Sequence, residues 1–229
     1  MSNGTKVVKR DGSIQPLHLE KMHVMVEEAC KGLAGVSASQ VEIQSGIQFY
    51  DGITTAEIQE ILIKSASDLI SVENPNYQYV AARLLLFSVR KSLYGGIRDL
   101  PHLENHIYSC TNIDVYDKDI FTKYSKEEID KTNGFIDHSR DFLFTYAGLR
   151  QVVDKYLVQD RSGGGVYESP QFMYIMIALT IFCRVSKRNP NVLRQKVLRC
   201  HFQTQDQHPN TNHGRSQNTH SAVCVLRSG

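Results

Sequence analysis

The sequence has no long apolar run, no close pair of cysteines and no strong net charge. Its longest apolar stretch, residues 173–183, is too short and too interrupted to span a bilayer, and no apolar segment follows a charged start. The five cysteines are odd in number and widely separated, which excludes a disulfide framework and a zinc ribbon. These absences predict a soluble cytoplasmic protein with reduced thiols and no membrane partner.

The net charge of +2 conceals an uneven distribution of charge. Residues 186–229 contain seven Lys or Arg and one acid, whereas residues 1–185 contain 19 basic and 23 acidic residues. The sequence also lacks a Walker phosphate loop. Ser162 to Gly165 is rich in glycine, but no lysine and helix follow it, so we interpret this segment as a hairpin turn.

Residues 7–21 are typical of a strand, a tight turn at Asp11–Gly12, a second strand and the start of a helix. This arrangement would bring the cations Lys9, Arg10 and Lys21 together where the elements converge. A chain without a glycine-rich loop could hold a polyphosphate in this way.

Four amphipathic helices are predicted after the hairpin, and together they would form a compact domain behind it. The first is expected over residues 19–33, and the second from Ser37 or Ser39 to Asp51–Gly52, with Val41, Ile43 and Ile47 on it. The third is expected to begin at Thr54 or Thr55 with Glu57 in its first turn, and the fourth to run from Pro75 to Gly95–Gly96.

Four blocks in this region resemble the ATP-cone, the allosteric nucleotide-binding domain of class I ribonucleoside-diphosphate reductase large subunits. The blocks lie at residues 9–13, 36–42, 47–53 and 77–84. The resemblance implies an α+β, mostly α fold, in which residues 1–95 form a four-helix bundle capped by a small β-hairpin or sheet. It also implies ATP or dATP as an allosteric effector, bound with Mg.

The resemblance also implies which residues hold the effector. Lys9, Arg10 and Lys21 would contact phosphates, and two further positions carry over, Thr55 beside a helix N-terminus suited to an anion and Lys91 late in the fourth helix. The base and ribose would be wrapped by Gln15, Pro16, Leu17, His18, Leu19, Glu20 and Lys21. Gln59 and Ser88 stand where family members with a dATP off-switch often have histidine, which implies weaker discrimination between ATP and dATP.

Residues 96–183 resemble the helical N-terminal region of the same subunits, which precedes their α/β barrel; the barrel itself is missing. The family's catalytic cysteines are expected beyond this region, so no catalytic residue, metal ligand or catalytic cofactor is assigned in this chain. Without a barrel to cover it, the segment at 173–183 is expected to expose its apolar side chains unless this region closes on itself. Those side chains are Phe172, Ile175, Ile177, Leu179 and Phe182.

Asp137, His138 and Asp141 could form an acid–base or metal cluster, but caps and surface hydrogen bonds explain a short turn of this kind better. Residues 184–229 do not fit the family in frame, whereas a reading one nucleotide later permits family-like residues from Gln203 to Arg227. We therefore interpret this basic tail as frameshifted and disordered, with no nucleic-acid partner.

The resemblance implies an oxidoreductase of deoxyribonucleotide biosynthesis that supports DNA replication, of which this chain is an N-terminal part, inactive alone. Its implied partners are the radical-generating small subunit, other large subunits and nucleotide effectors. One alternative is a stand-alone ATP-cone nucleotide sensor. Such regulators carry a zinc ribbon, which requires two close cysteine pairs that this sequence lacks.

Overall fold

A three-stranded sheet lies at the start of the chain, with its first strand between the other two. The computed structural model describes residues 5–9, 11–160 and 165–186, with side chains to residue 181. The strands are β1 (Lys6–Val8), β2 (Ile14–Pro16) and β3 (Ile53–Thr54), in the order β2-β1-β3. The β1–β2 pair is the predicted antiparallel hairpin, and β3 adds to β1 in parallel.

The hairpin turns at Asp11–Gly12, as predicted. The Gly12 N–H donates to the Lys9 carbonyl at 2.9 Å, and the Asp11 carboxylate accepts from the Ser13 N–H at 2.9 Å. Gly12 has a φ of +80°, which glycine adopts without the clash that a Cβ would cause.

Four helices follow the hairpin and pack beneath the sheet, which confirms the predicted bundle. They are α1 (Leu19–Cys30), α2 (Ala38–Gly46), α3 (Thr55–Asp68) and α4 (Tyr77–Tyr94). Glycine ends α4 as predicted, because Gly95 adopts a φ of +74° and donates its N–H to the Lys91 carbonyl at 3.2 Å. The second helix ends at Gly46, earlier than predicted, and turns Ile43 and Ile47 to solvent while Val41 is buried.

The fourth helix is buried on nearly all sides. Its buried residues are Tyr77, Val80, Ala81, Ala82, Leu84, Leu85, Leu86, Phe87, Val89 and Arg90. Such a helix needs partners around its whole circumference. One side packs against α1 and α3, and another against elements that follow residue 100.

The second half of the described chain is helical, as predicted. It contains α5 (Leu103–Asn112), α6 (Ile120–Lys123), α7 (Lys126–Asn133), a 3-10 helix (His138–Leu143), α8 (Tyr146–Lys155) and α9 (Pro170–Ser186). Helix α8 packs on α4, and its Leu149 joins the hydrophobic core of the first four helices. Packing therefore crosses residue 95, where the sequence predicts a domain boundary.

Most of the apolar side chains expected to be exposed on α9 are in fact buried. Phe172, Ile175 and Leu179 belong to a second core with residues of α5 and α7, which is the exception stated for a region that closes on itself. The expected exposure was right for Ile177, which is 47% exposed. The reason is that the helices from residue 103 onward fold back over α9 and cover one of its faces.

Two predictions are only partly within the described residues. Gln159 and Val166 form an antiparallel bridge, as expected on either side of a hairpin turn, but residues 161–164 lie outside. The first residues of the predicted disordered tail, 184–186, belong instead to α9. The Phe182 side chain and residues 187–229 lie outside the description, so the interpretation of the rest of the tail stays a prediction. No barrel occurs in the described ranges, and none of their helices is long and apolar enough to cross a membrane.

Candidate nucleotide-binding site

The pairing of β1 with β3 brings two predicted site residues to one edge of the sheet. Val8 lies opposite Thr54 in this parallel pair, so Lys9 and Thr55 are the next residues along the two neighbouring strands. Lys9 is partly buried and is held by its N–H, which donates to the Ser13 carbonyl at 2.9 Å. Arg10 lies outside the described residues, so its predicted role stays a prediction.

Helix α3 begins at this edge with Thr54, one of the two predicted caps, and with a capping box formed by Thr54 and Glu57. The Glu57 N–H donates to the Thr54 hydroxyl at 3.1 Å, and the Thr54 N–H donates to the Glu57 carboxylate at 2.8 Å. The hydrogen bond from the Thr54 backbone lowers the pKa of Glu57. The box does not use the N–H groups of Thr55 and Ala56, and N–H groups in the first turn of a helix are suited to an anion.

The Glu57 carboxylate is a feature of this edge that the sequence reasoning did not connect with the site. The Tyr50 hydroxyl donates to it at 2.9 Å, which ties the loop before β3 to the start of α3. A negative group beside a proposed phosphate site requires cations nearby to offset its repulsion. The Thr-x-x-Glu spacing is the signal from which its position could have been foreseen.

Residues 15–21 form the end of β2, the outer strand on the other side of β1 from β3, and the start of α1. Gln15 pairs with Val7, and the Leu17 N–H donates to the Thr5 carbonyl at 2.8 Å, which fixes the start of α1 to the sheet. His18 is the N-cap residue, and its side chain makes no capping hydrogen bond. Exposed side chains dominate this segment, namely those of Pro16, His18, Leu19, Glu20 and Lys21.

Lys91 reaches the same end of the bundle through the packing of α3 on α4. The two helices are joined by a short connection and packed side by side, so they run antiparallel and the end of α4 lies beside the start of α3. The Gln59 amide donates to the Leu84 carbonyl at 3.0 Å, which fixes their relative positions. Lys91, in the last turn of α4, is exposed there.

Strand β3 places Thr55 beside Lys9, and the packing of α3 on α4 brings Lys91 to the start of α3. The segment from Gln15 follows β2, whose end lies opposite Lys6, so α1 begins at the other end of β1 from Lys9. Two clefts of about 370 and 520 Å³ lie elsewhere, near His106 and near Cys30, and neither includes a predicted site residue. The candidate site is therefore the surface where Lys9, Thr55 and the start of α3 meet.

The Asp137–His138–Asp141 cluster matches neither interpretation of the sequence in full, the acid–base or metal cluster or the set of caps and surface hydrogen bonds. Asp137 does cap the 3-10 helix, because its carboxylate accepts from the Ser139 N–H at 3.0 Å. Asp141, however, is only 1% exposed and forms a salt bridge with Arg90, so the prediction of a surface hydrogen bond was wrong for this residue. Its guanidinium partner lies 51 residues away, beyond the reach of local sequence patterns.

Buried titratable groups also surround the second core. His106 is stacked on Phe172 with ring centroids 4.2 Å apart, and its Nε2 lies 3.2 Å from the Tyr116 hydroxyl. Burial lowers the pKa of His106 and of His138 to about 4. The Tyr116 hydroxyl in turn donates to the buried Glu168 carboxylate, whose pKa burial raises.

One group of possible metal ligands occurs among the described residues, formed by His102, Glu104 and Asp130. His102 Nδ1 accepts from the Glu104 N–H at 3.4 Å, and Glu104 is paired with Lys126 at 3.2 Å. The Glu104–Lys126 pair joins the start of α5 to α7.

Known protein families match both halves of the chain. Residues 5–92 match the ATP cone domain family, and residues 142–206 match the ribonucleotide reductase all-alpha domain family. The chain is 45% identical over 187 residues to a ribonucleoside-diphosphate reductase subunit alpha of Haemophilus influenzae, covering 82% of this chain and 25% of the relative.

Two further relatives show the same pattern of coverage. The ribonucleoside-diphosphate reductase 1 subunit alpha of Escherichia coli is 46% identical over 182 residues, covering 80% of this chain and 24% of the relative. The subunit alpha of Enterobacteria phage T4 is 41% identical over 177 residues, covering 76% and 23%. The chain thus spans about a quarter of the length of the curated relatives it matches.

Proposed function

The chain belongs to the ribonucleotide reductase alpha-subunit family, of which it represents the N-terminal part, and on this premise we propose that its first domain binds ATP or dATP as an allosteric effector. The observation that carries the proposal is the match of residues 5–92 to the ATP cone, and the placing of Lys9 and Lys91 near the start of α3 supports it. The proposed ligands are those predicted from the sequence.

The geometry suits a polyphosphate. The starts of α1 and α3 present backbone N–H groups, which with the helix dipoles favour an anion. Lys9, Lys21 and Lys91 supply positive charge that offsets both the phosphates and the nearby Glu57. Each charge-assisted hydrogen bond to a phosphate oxygen contributes about 1.5–3 kcal/mol. A bound Mg would neutralise part of the remaining phosphate charge.

The full alpha subunit is proposed to reduce ribonucleoside diphosphates, with a radical-generating small subunit and other large subunits as partners, in the cytoplasm. Effector binding would act by favouring one assembly state over another, which requires different nucleotide affinities in the two states. The proposed domains are 1–95 for the cone, 96–183 for the helical region and 184–229 for the tail, although the match to the reductase all-alpha domain extends to residue 206. The match to the reductase all-alpha domain favours this function over a stand-alone sensor.

Substitution of Lys91 by alanine is expected to weaken ATP binding at least about tenfold, because one charge-assisted contact to phosphate is lost. Lys21→Ala should have a similar effect. Isothermal calorimetry of the full chain with MgATP measures both. Lys64→Ala is the matched control, since Lys64 is an exposed lysine toward the opposite end of α3. Absence of heat with either nucleotide, or an equal loss in the control, would refute the site.

ATP and dATP are expected to bind with affinities that differ by less than about tenfold, since a single neutral hydrogen bond contributes about 0.5–1.5 kcal/mol. The Gln59 amide is engaged with the Leu84 carbonyl, and Ser88 offers only a short hydroxyl, so neither supplies a charged donor. Parallel titrations with the two nucleotides test this expectation. A preference of a hundredfold or more for either one would show that other residues discriminate.

A further inference from the structure

Arg90, which directly precedes Lys91 on α4, is anchored by residues far outside the ATP cone. Arg90 is 3% exposed, and its Nη2 donates to the Asp141 carboxylate at 2.8 Å and to the His138 carbonyl at 2.7 Å. The other Asp141 oxygen accepts from the Gln171 amide at 3.0 Å. One buried carboxylate therefore joins α4, the 3-10 helix and α9.

An aromatic contact reinforces this junction. The Phe142 ring lies between two arginines of α4, with its centroid 5.3 Å from the Arg90 guanidinium carbon and 5.7 Å from that of Arg83. Phe87 meets the same ring edge-on at 6.1 Å. Arg83 also donates to the Ala29 carbonyl at 3.0 Å, so the junction extends to the end of α1.

These contacts constrain how α4 can rotate or slide. A buried guanidinium that loses its carboxylate partner is strongly disfavoured, so α4 cannot turn far without breaking the pair. Ser88 and Lys91 lie within two residues of Arg90 on the same helix. Their positions at the proposed effector site are therefore set partly by Asp141, which lies outside the residues that match the cone.

We propose that Asp141 and Gln171 are positioning residues for effector binding, which act by holding Arg90 and with it the last turns of α4. The inference rests on the proposed effector site at Lys91. Because linkage is reciprocal, an effector that favours one position of α4 must also stabilise the contacts of that position with the 3-10 helix and α9. The nucleotide is thereby coupled to the helical region of the reductase through one buried ion pair.

The first test is calorimetric titration of the full chain with MgATP. Asp141→Asn keeps the shape of the side chain but removes its charge, and it is expected to weaken ATP binding about fivefold to tenfold. Gln171→Met removes one hydrogen bond while leaving the ion pair, and a loss of about threefold is expected. Asp154→Asn is the control, because Asp154 forms a solvent-exposed pair with Arg150 on α8 and should leave the affinity unchanged.

A second readout separates positioning from a general loss of stability. If Asp141 acts through Lys91, the Lys91→Ala and Asp141→Asn effects on ATP affinity will not add, and the double variant will bind about as weakly as Lys91→Ala alone. Hydrogen exchange should also show ATP-dependent protection of residues 138–143 and 170–176 in the wild type, reduced in Gln171→Met.

The outcomes distinguish this inference from the function on which it rests. A wild-type chain that binds no nucleotide overturns both. A wild type that binds ATP, with unchanged affinity in folded Asp141→Asn or additive losses in the double variant, overturns the positioning role alone. If Asp141→Asn fails to fold, Gln171→Met decides, and a folded Gln171→Met with unchanged affinity and exchange overturns the proposal.

Discussion

Replacement of Phe172 by alanine is expected to lower the free energy of unfolding by about 3–5 kcal/mol, the usual cost of deleting a buried aromatic ring. Phe172 is fully buried near the start of α9. Its ring stacks on His106 and meets Tyr94 and His138 edge-on, with centroids 6.2 and 5.0 Å away. The substitution leaves a cavity that these rings cannot fill without moving, because each is held by other contacts.

Urea unfolding followed by circular dichroism measures this loss. Ile177→Ala on the same helix is the matched control and should cost less than about 1 kcal/mol, because Ile177 is half exposed. Equal losses in the two variants would mean that α9 is not packed on α5 and α7 as described. A loss confined to Phe172→Ala would support the second core formed by residues of α5, α7 and α9.

Acidification from pH 6.5 to pH 4 is expected to destabilise the fold by on the order of 2–3 kcal/mol for each of His106 and His138. Burial lowers the pKa of both imidazoles to about 4, against 6.5 for an unperturbed histidine. Between these values the unfolded chain binds protons that the folded chain does not. The contribution is therefore fully present above pH 6.5 and is lost as the pH falls toward 4.

The measurement is the urea midpoint at several pH values in the wild type, His106→Gln and His18→Gln. His106→Gln should flatten the slope between pH 6.5 and pH 4, whereas His18→Gln should not, since His18 is exposed. The comparison is needed because burial raises the pKa of the nearby Glu168. Acidification toward that raised pKa stabilises the fold through Glu168, which is opposite to the effect of the two histidines. An identical pH slope in the wild type and His106→Gln would contradict the prediction.

Local signals explain why much of the cone could be predicted from the sequence. The Asp11–Gly12 turn, the Thr54–Glu57 capping box and Gly95 at the end of α4 each depend on neighbouring residues. Strand β3 has only two residues, too few to show an alternating pattern, and it was missed for that reason. The resemblance predicted Lys9 and Thr55 as site residues. It did not predict that they lie side by side, because that depends on the pairing of β1 with the missed strand β3.

Long-range partners decided the outcomes that local patterns did not specify. The buried side of α9 is covered by residues of α5 and α7, and nothing within α9 itself specifies that contact. Asp141 looked like a surface cap because its neighbours Asp137 and Ser139 are typical of a turn. Only the position of Arg90 on α4 makes it a buried ion-pair partner.

The burial of α4 on nearly all sides limits how freely a cone of this kind can be exchanged between proteins. Cut from its neighbours after α4, the segment would carry Arg90 and Phe87 onto an open surface, without Asp141 or Phe142 to receive them. A host enzyme that acquired such a cone by gene fusion would need an acid and an aromatic ring on the matching face. Recombination should therefore succeed most often when the cone travels together with the helices that follow it.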